Sequence, residues 1–318
     1  MTDRQMTAFD AAGTRARRLE ASSKRYGEKA IKALLAVAAA ISVITTTGIV
    51  VALVGPTIGF FRDVPIIDFL TGTEWAPRSD RFGVVPLVVG TLNVVLWAMV
   101  FAIPIGLGTA IYLSEYARPG FRKVVKPVLE VLAGVPTVAI GFFGVYFLTP
   151  LLQDIWPGSF LGGPPGFFMA GAASLCIGLM IVPIVTSISE DAMRAVPAGL
   201  REGAYALGSA KVHVATRVVF PAAISGVIAS VILGISRALG ETMIVLMVAG
   251  NNPNMSLNPV ESIQAMTAYI GVTASGDVAT GTTQYDTLFA VGTLLFVMTL
   301  IMNLISIRLV RKFREVYE

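Results

Sequence analysis

The charges of this 318-residue chain are gathered into short clusters, and what lies between the clusters is almost entirely apolar. Uncharged runs occupy residues 33–61, 82–114 and 131–153. A fourth fills the apolar part of 155–189, a fifth extends from Pro221 to about Gly250 and carries two charges, and a sixth covers 287–307. Crossing about 30 Å of hydrocarbon at 1.5 Å per helical residue takes roughly 20 residues, so each run is long enough to span a membrane. Only 14% of the residues are charged, against about 25% in ordinary soluble domains. The mean hydropathy is +0.75. These values argue against a water-soluble monomer. The runs lack period-two alternation, which excludes a transmembrane β-barrel. The expected fold is all-α, a polytopic membrane bundle of six transmembrane helices.

Lys and Arg give the bundle a direction. Alternate connections, counting the two terminal segments, hold 20 basic residues and the others hold three. Under the positive-inside rule, both termini and the loops after spans two and four face the cytoplasm. The net charge of +4 and pI near 9.3 are therefore a topology signal, and without a basic face or aromatic platform they do not indicate nucleic-acid binding. Residues 1–32 form a cytoplasmic arm, too long and polar for a secretory leader, and either a disordered segment or an amphipathic helix on the inner leaflet. Residues 33–61 are the first membrane helix and 62–81 an outer loop. Residues 82–311 hold the other five helices, with a cytoplasmic loop at about 190–220, and 312–318 are a cytoplasmic tail. Trp156 to Gly166, rich in Pro and Gly, reads as a loop before span four, and residues 260–270 of the 251–286 outer connection as a short helix. Pro104, Pro136 and Pro183 are expected to bend or interrupt their spans.

Within the loop after span four the chain reads Arg201-Glu202-Gly203-Ala204-Tyr205-Ala206-Leu207-Gly208, then nine residues through Arg217, then Val218-Val219-Phe220-Pro221. This resembles the signature of binding-protein-dependent ABC importer permeases: Glu-Ala-Ala, three residues, Gly, nine residues, Ile-x-Leu-Pro. Every spacing is kept. Gly203, Val218 and Phe220 replace the usual Ala, Ile and Leu. Physically, Gly208 can end a short helix in the positive-φ region and Pro221 can start the next. By itself the segment also fits an ordinary interfacial helix. The resemblance implies a coupling helix that docks on a separate ATPase subunit through Glu202, Gly203, Ala204 and Gly208, and a type I ABC importer permease fold.

Span five contains Arg237 and Glu241, four residues apart and on one face if the helix is continuous. An Arg at mid-membrane costs about 2.5–3.5 kcal/mol on insertion scales, so both side chains are expected to face the bundle interior or a water-filled path. They fit a structural ion pair, and equally an anion path in which Arg237 offers a planar fork of donors and Glu241 holds it when empty. Here the resemblance narrows. Arg237-Ala238-Leu239-Gly240-Glu241-Thr242, with Leu113-Ser114-Glu115-Tyr116-Ala117, Leu132-Ala133-Gly134-Val135-Pro136-Thr137 and Gly141-Phe142-Phe143-Gly144, looks like the C-type permease subunit of the phosphate-specific ABC importer. It implies a heterodimer with a second related permease, two cytoplasmic ABC ATPase subunits, an extracytoplasmic phosphate-binding protein, and a place in the lipid of a prokaryotic cytoplasmic membrane. It also implies that Arg237 and Glu241 serve phosphate passage.

Several motifs are missing from the sequence. It has no Gly-x-x-x-x-Gly-Lys-Ser/Thr, and no Lys follows a Gly anywhere, so ATP and Mg are left to the partner ATPases and no cofactor is expected in this chain. A single His and a single Cys argue against a metal cluster or an intramembrane triad, and Cys176 reads as a small buried hydrophobe. The sequence is thus that of a transport subunit, not an enzyme in its own right. Two other functions fit less of it. One is an ABC permease for another oxyanion or small solute, since the signature loop is generic. The other is an autonomous secondary transporter or channel, which calls for inverted repeats that the sequence does not display.

Overall fold

Each apolar run is helical over most of its described length in the computed structural model, which describes residues 26–155 and 166–313. Two compact units divide the chain, Met1–Ala52 and Leu53–Glu318. Helix α1 (Tyr26–Asp63) opens the described residues, so the last part of the expected N-terminal arm is helical; the rest of the arm lies outside them. A short α2 (Ile66–Thr71) follows, then a two-residue antiparallel ladder of β1 (Trp75–Ala76) with β2 (Arg81–Phe82), the one departure from all-α among the described residues. Next come α3 (Val85–Ile111), α4 (Pro119–Ala133), α5 (Thr137–Phe143) and α6 (Thr149–Ile155). Beyond them lie α7 (Ala170–Ala195), α8 (Ala198–Ala206), α9 (Lys211–His213) and α10 (Phe220–Ala222). The fold closes with α11 (Ile224–Leu239), α12 (Met266–Ser275) and α13 (Thr283–Phe313).

Five stretches among the described residues are long and apolar enough to cross a membrane: Ala30–Asp63, Val85–Tyr116, Thr137–Ile155, Ala170–Ala195 and Thr283–Lys312. A sixth is obtained if Lys211–Ala222 and Ile224–Leu239, bent by 72° to one another, are taken together. Several boundaries differ from expectation, the last helix for example starting at Thr283 and not at 287. Residues 131–133 finish α4 rather than starting span three, because Gly134 ends that helix and Pro136 caps the next. Span five breaks at residues 240–242 instead of running to Gly250. The helix expected at 260–270 begins only at Met266, since Ala170 N and Gly171 N donate to Glu261 O and Pro259 O and hold this stretch extended against the start of α7. Pro104 and Pro183 lie inside continuous helices, whereas Pro136 does mark an interruption. The expected loop at 156–165 and the tail beyond Phe313 lie outside the described residues.

α3 and α7 form the centre. Val94, Ala98 and Ala102 on one and Ala173, Ile177 and Ile181 on the other are buried in one cluster. Small residues set how closely these helices approach: a Cβ on Gly106 would stand 2.8 Å from Val185 Cγ1, and one on Gly178 2.7 Å from Phe101 Cδ1. Ser174 and Thr186 donate across the contact to Val94 O and Gly106 O, both at 3.2 Å. α11 packs against both α3 and α7, with Gly234 against Ile181 and Met99, and the hydroxyls of Ser189 on α7 and Ser230 on α11 lie 2.7 Å apart. Leu92, Leu96 and Val100, one turn apart on α3, stay exposed, as a lipid-facing stripe requires. A second core of edge-to-face aromatics runs from Phe60 through Phe69 and Trp75 to Tyr269. A third, around Ala110, Met193, Val214 and Val219, gathers the ends of α3 and α7 at the signature loop.

Candidate functional site

The signature loop folds as its spacing demands. Pro197 precedes α8, and the helix stops because Gly208 adopts φ +78°, which L side chains rarely tolerate. Ser209 N donates to Ala204 O at 3.1 Å and Gly208 N to Tyr205 O at 2.9 Å, the paired hydrogen bonds of a Schellman ending. Glu202 and Gly203 are exposed and Ala204 is half-buried. Leu200, Tyr205 and Leu207 add apolar exposed surface, with Leu207 at 88%. Beyond Gly208, Val214, Ala215 and Val219 are buried and turn the chain back into the bundle.

A helix of nine residues has little stability of its own, so something must hold it in place. Arg201 does this. Its Nε and Nη2 reach Glu115 Oε1 at 3.2 and 3.0 Å, and Nη1 and Nη2 donate to Val196 O and Met193 O, both at 2.7 Å. One guanidinium thus ties α8 to the carbonyls that end α7 and to a carboxylate just past α3. Lys211 adds a second link, its Nζ standing 4.9 Å from the ring centroid of Tyr116. The signature spacing points to Glu202 and gives no role to Arg201 or Glu115. The available signal was that Glu115 falls in one of the stretches carrying the resemblance.

Next to this anchor, α4 is tied to α7 by a second ionic cluster. Glu190 is almost fully buried, with Arg122 Nη2 at 2.6 Å from Oε1 and Lys126 Nζ at 3.2 Å from Oε2. Lys126 also pairs with Asp191. Burial pulls the Lys126 ammonium down, but hydrogen bonds and charges from Asp191 and Glu190 together outweigh it, so its pKa stands above the ordinary 10.5. No local pattern announces this cluster, because its cations and its carboxylates are 64 or more residues apart in sequence.

At the other candidate site the two charges of span five are not joined. Arg237 lies in the last turn of α11, is exposed on this chain, and has Nη2 3.5 Å from Met180 Sδ. After Leu239 the helix stops, so Glu241 is not four residues further along the same face. It is buried, and Oε1 accepts from Ile244 N at 3.3 Å, capping the helical segment that resumes at residue 243. Thr267 Oγ1 donates to Glu241 O at 2.8 Å and fixes the break against α12. No ion pair joins Arg237 to Glu241 among the described residues. The expectation of a carboxylate holding the Arg is therefore corrected: the break leaves Arg237 free to meet another group. Cys176 is fully buried, as expected for a packing residue.

Comparison with known proteins fits this geometry. The chain is 34% identical over 241 residues to a probable ABC transporter permease protein, YqgH, of Bacillus subtilis, covering 75% of this chain and 76% of the relative. It is 34% identical over 267 residues to the phosphate transport system permease protein PstC of Xylella fastidiosa, covering 77% and 80%. Among solved structures, a bacterial alginate ABC transporter in complex with its periplasmic protein superposes with a TM-score of 0.62 at 16% identity, covering 93% of this chain and all of that one. The inward-facing MetNI methionine ABC transporter superposes with a TM-score of 0.53 at 19% identity, covering 76% of this chain and all of that one. These two likenesses are of fold, the type I importer permease bundle. The model of the binding-protein-dependent transport system inner membrane component matches residues 102–315, the stretch holding both the α8 loop and Arg237, and the chain belongs to that family.

Proposed function

We propose that the protein is a membrane-spanning permease subunit that passes inorganic phosphate inward, driven by ATP hydrolysed on partner subunits. The observation that carries the transport reading is α8: a short exposed helix, closed by Gly208 and fastened to the ends of α3 and α7 through Arg201. Force applied there reaches the membrane helices directly. In this reading Glu202, Gly203, Ala204 and Gly208 form the face that docks on a cytoplasmic ATPase, which binds ATP and Mg. A binding protein delivers phosphate from outside. Phosphate as cargo is supported by the named function of the PstC relatives and by an unpaired guanidinium at the end of α11.

Arg237 is exposed on this chain, which suits a path completed by a second, related permease across a heterodimer interface. Glu241 serves that path by holding the helix break that presents Arg237. The assembly sits in a prokaryotic cytoplasmic membrane with both termini inside.

The test is uptake into vesicles holding this chain, a second permease, the ATPase and the binding protein. ATP-dependent uptake of labelled phosphate, not competed by sulfate or molybdate, is the expected result. Equal uptake of the other oxyanions would overturn the phosphate assignment. Flux driven by an ion gradient through the purified chain alone would overturn the ABC reading.

A further inference from the structure

A cavity of about 480 Å³ opens where the end of α3, the start of α4, the end of α7 and α8 meet. Arg122, Lys123, Arg194 and Arg201 line it, and no carboxylate does. Two of the four cations are already matched, Arg201 by Glu115 and Arg122 by Glu190. Lys123 and Arg194 are exposed and make no ion pair or hydrogen bond among the described residues. Arg122 Nε is buried and has no acceptor. Pro119 also lines the cavity, at the first turn of α4, which has neither a side-chain cap nor an acidic residue. Two uncompensated cations and the positive end of a fifteen-residue helix therefore converge on one space.

The same helix reveals the depth of the cavity. Phe121, Val124, Val128 and Val131 are exposed along one stripe of α4, while Arg122 and Lys126 lie one turn apart on another and face α7. A helix with one apolar and one basic face, joining two membrane spans, lies in the plane of the interface, level with lipid headgroups. Basic pockets between membrane helices are suited to phosphate-bearing ligands.

We infer that this cavity binds a phosphate group, the chemistry shared by the headgroup of an anionic lipid and by free inorganic phosphate. The site is distinct from Arg237 and does not rest on the phosphate-import reading. Because Arg201 forms one wall, an occupant sits against the side chain that positions α8.

The test uses the full chain in uncharged detergent. Phosphatidylglycerol and phosphatidylcholine are compared by native mass spectrometry. Labelled inorganic phosphate is measured at constant ionic strength in an Arg237→Gln background, so that binding on the transport path does not contribute. The double variant Lys123→Gln/Arg194→Gln removes the two unmatched cations without touching an ion pair, and its melting temperature without ligand checks the fold. At about 1 kcal/mol per basic residue, it is expected to lose about thirtyfold in affinity. Lys123→Arg/Arg194→Lys should retain binding, and Arg308→Gln/Arg311→Gln, on α13, should behave as the parent. Loss confined to phosphatidylglycerol assigns a lipid headgroup, and loss confined to phosphate assigns the free anion. Binding of neither probe by the parent chain, or equal binding by the parent and the Gln double variant, overturns the proposal.

Discussion

Arg201 and Glu115, 86 residues apart in the chain, meet at 3.0 Å with both side chains largely removed from solvent. The carboxylate lies just after α3 and the guanidinium in the first half of the exposed α8, so the contact links a membrane helix to the loop that carries the family signature. The remaining donors of Arg201 reach Val196 O and Met193 O, the latter also accepting from Val196 N at 3.3 Å, where α7 ends. Three elements are thereby registered by one planar group.

Replacing that group by a point charge separates geometry from charge. Arg201→Lys keeps the cation but cannot reach three acceptors together, and should lower stability by about 1–3 kcal/mol. In a double-mutant cycle, Glu115→Gln and Arg201→Lys should be non-additive by about 0.5–3 kcal/mol. Thermal unfolding of the four purified proteins provides the measurement. Additive effects would mean that the two residues do not act as a unit.

The two glycines of the signature should respond in opposite directions. Gly208 has open space around it but φ +78°, so Gly208→Ala fits sterically yet strains the backbone, costing about 1–2 kcal/mol. Gly203 has nothing within 4 Å and lies inside α8, so Gly203→Ala restores the usual residue and should stabilise the helix by about 0.5–1 kcal/mol. Hydrogen exchange of the α8 amides reads both: faster in the first, slower in the second.

These glycines also show what a single sequence conveys. The Gly208 position and the end of α8 were legible because the constraint is local, a φ that one residue type accepts. The short helix itself was legible through the spacing of the signature. The Arg201–Glu115 contact and the Glu190 cluster were not, since contacts between distant segments leave no periodic trace. The Arg237–Glu241 arithmetic failed for a different reason. A four-residue spacing implies a shared face only while the helix is continuous, and Glu241 is itself the cap of the segment beyond the break. Likewise, residues 131–133 look like membrane span because the apolar stripe of α4 continues through them.

The Glu190 cluster gives the fold a dependence on alkaline pH. The raised Lys126 pKa means that the native state holds this proton more tightly than the unfolded chain does. Its contribution is complete below about pH 10.5 and is lost as pH climbs through the native value. Lys126→Met should flatten that loss in unfolding curves taken across the alkaline range. Glu190→Gln, which leaves two cations facing an uncharged amide, should cost about 2 kcal/mol at neutral pH.

The break after α11 gives the sharpest discrimination between two roles for Glu241. If the carboxylate were the counter-ion of Arg237, Glu241→Gln would unbalance the path and alter transport much as Arg237→Gln does. The structure instead has Glu241 accepting from Ile244 N, which an amide oxygen can also do. Glu241→Gln should therefore keep most ATP-dependent phosphate uptake. Glu241→Ala removes the acceptor and should cost about 1 kcal/mol of stability, with reduced uptake as the break loosens. Arg237→Gln should abolish uptake while leaving the melting temperature close to the parent's, because the residue is exposed and, among the described residues, its hydrogen bonding is limited to the weak contact with Met180 Sδ. Vesicle uptake and thermal unfolding measured on the three variants decide the matter. Equal loss of transport in Glu241→Gln and Arg237→Gln would restore the ion-pair role.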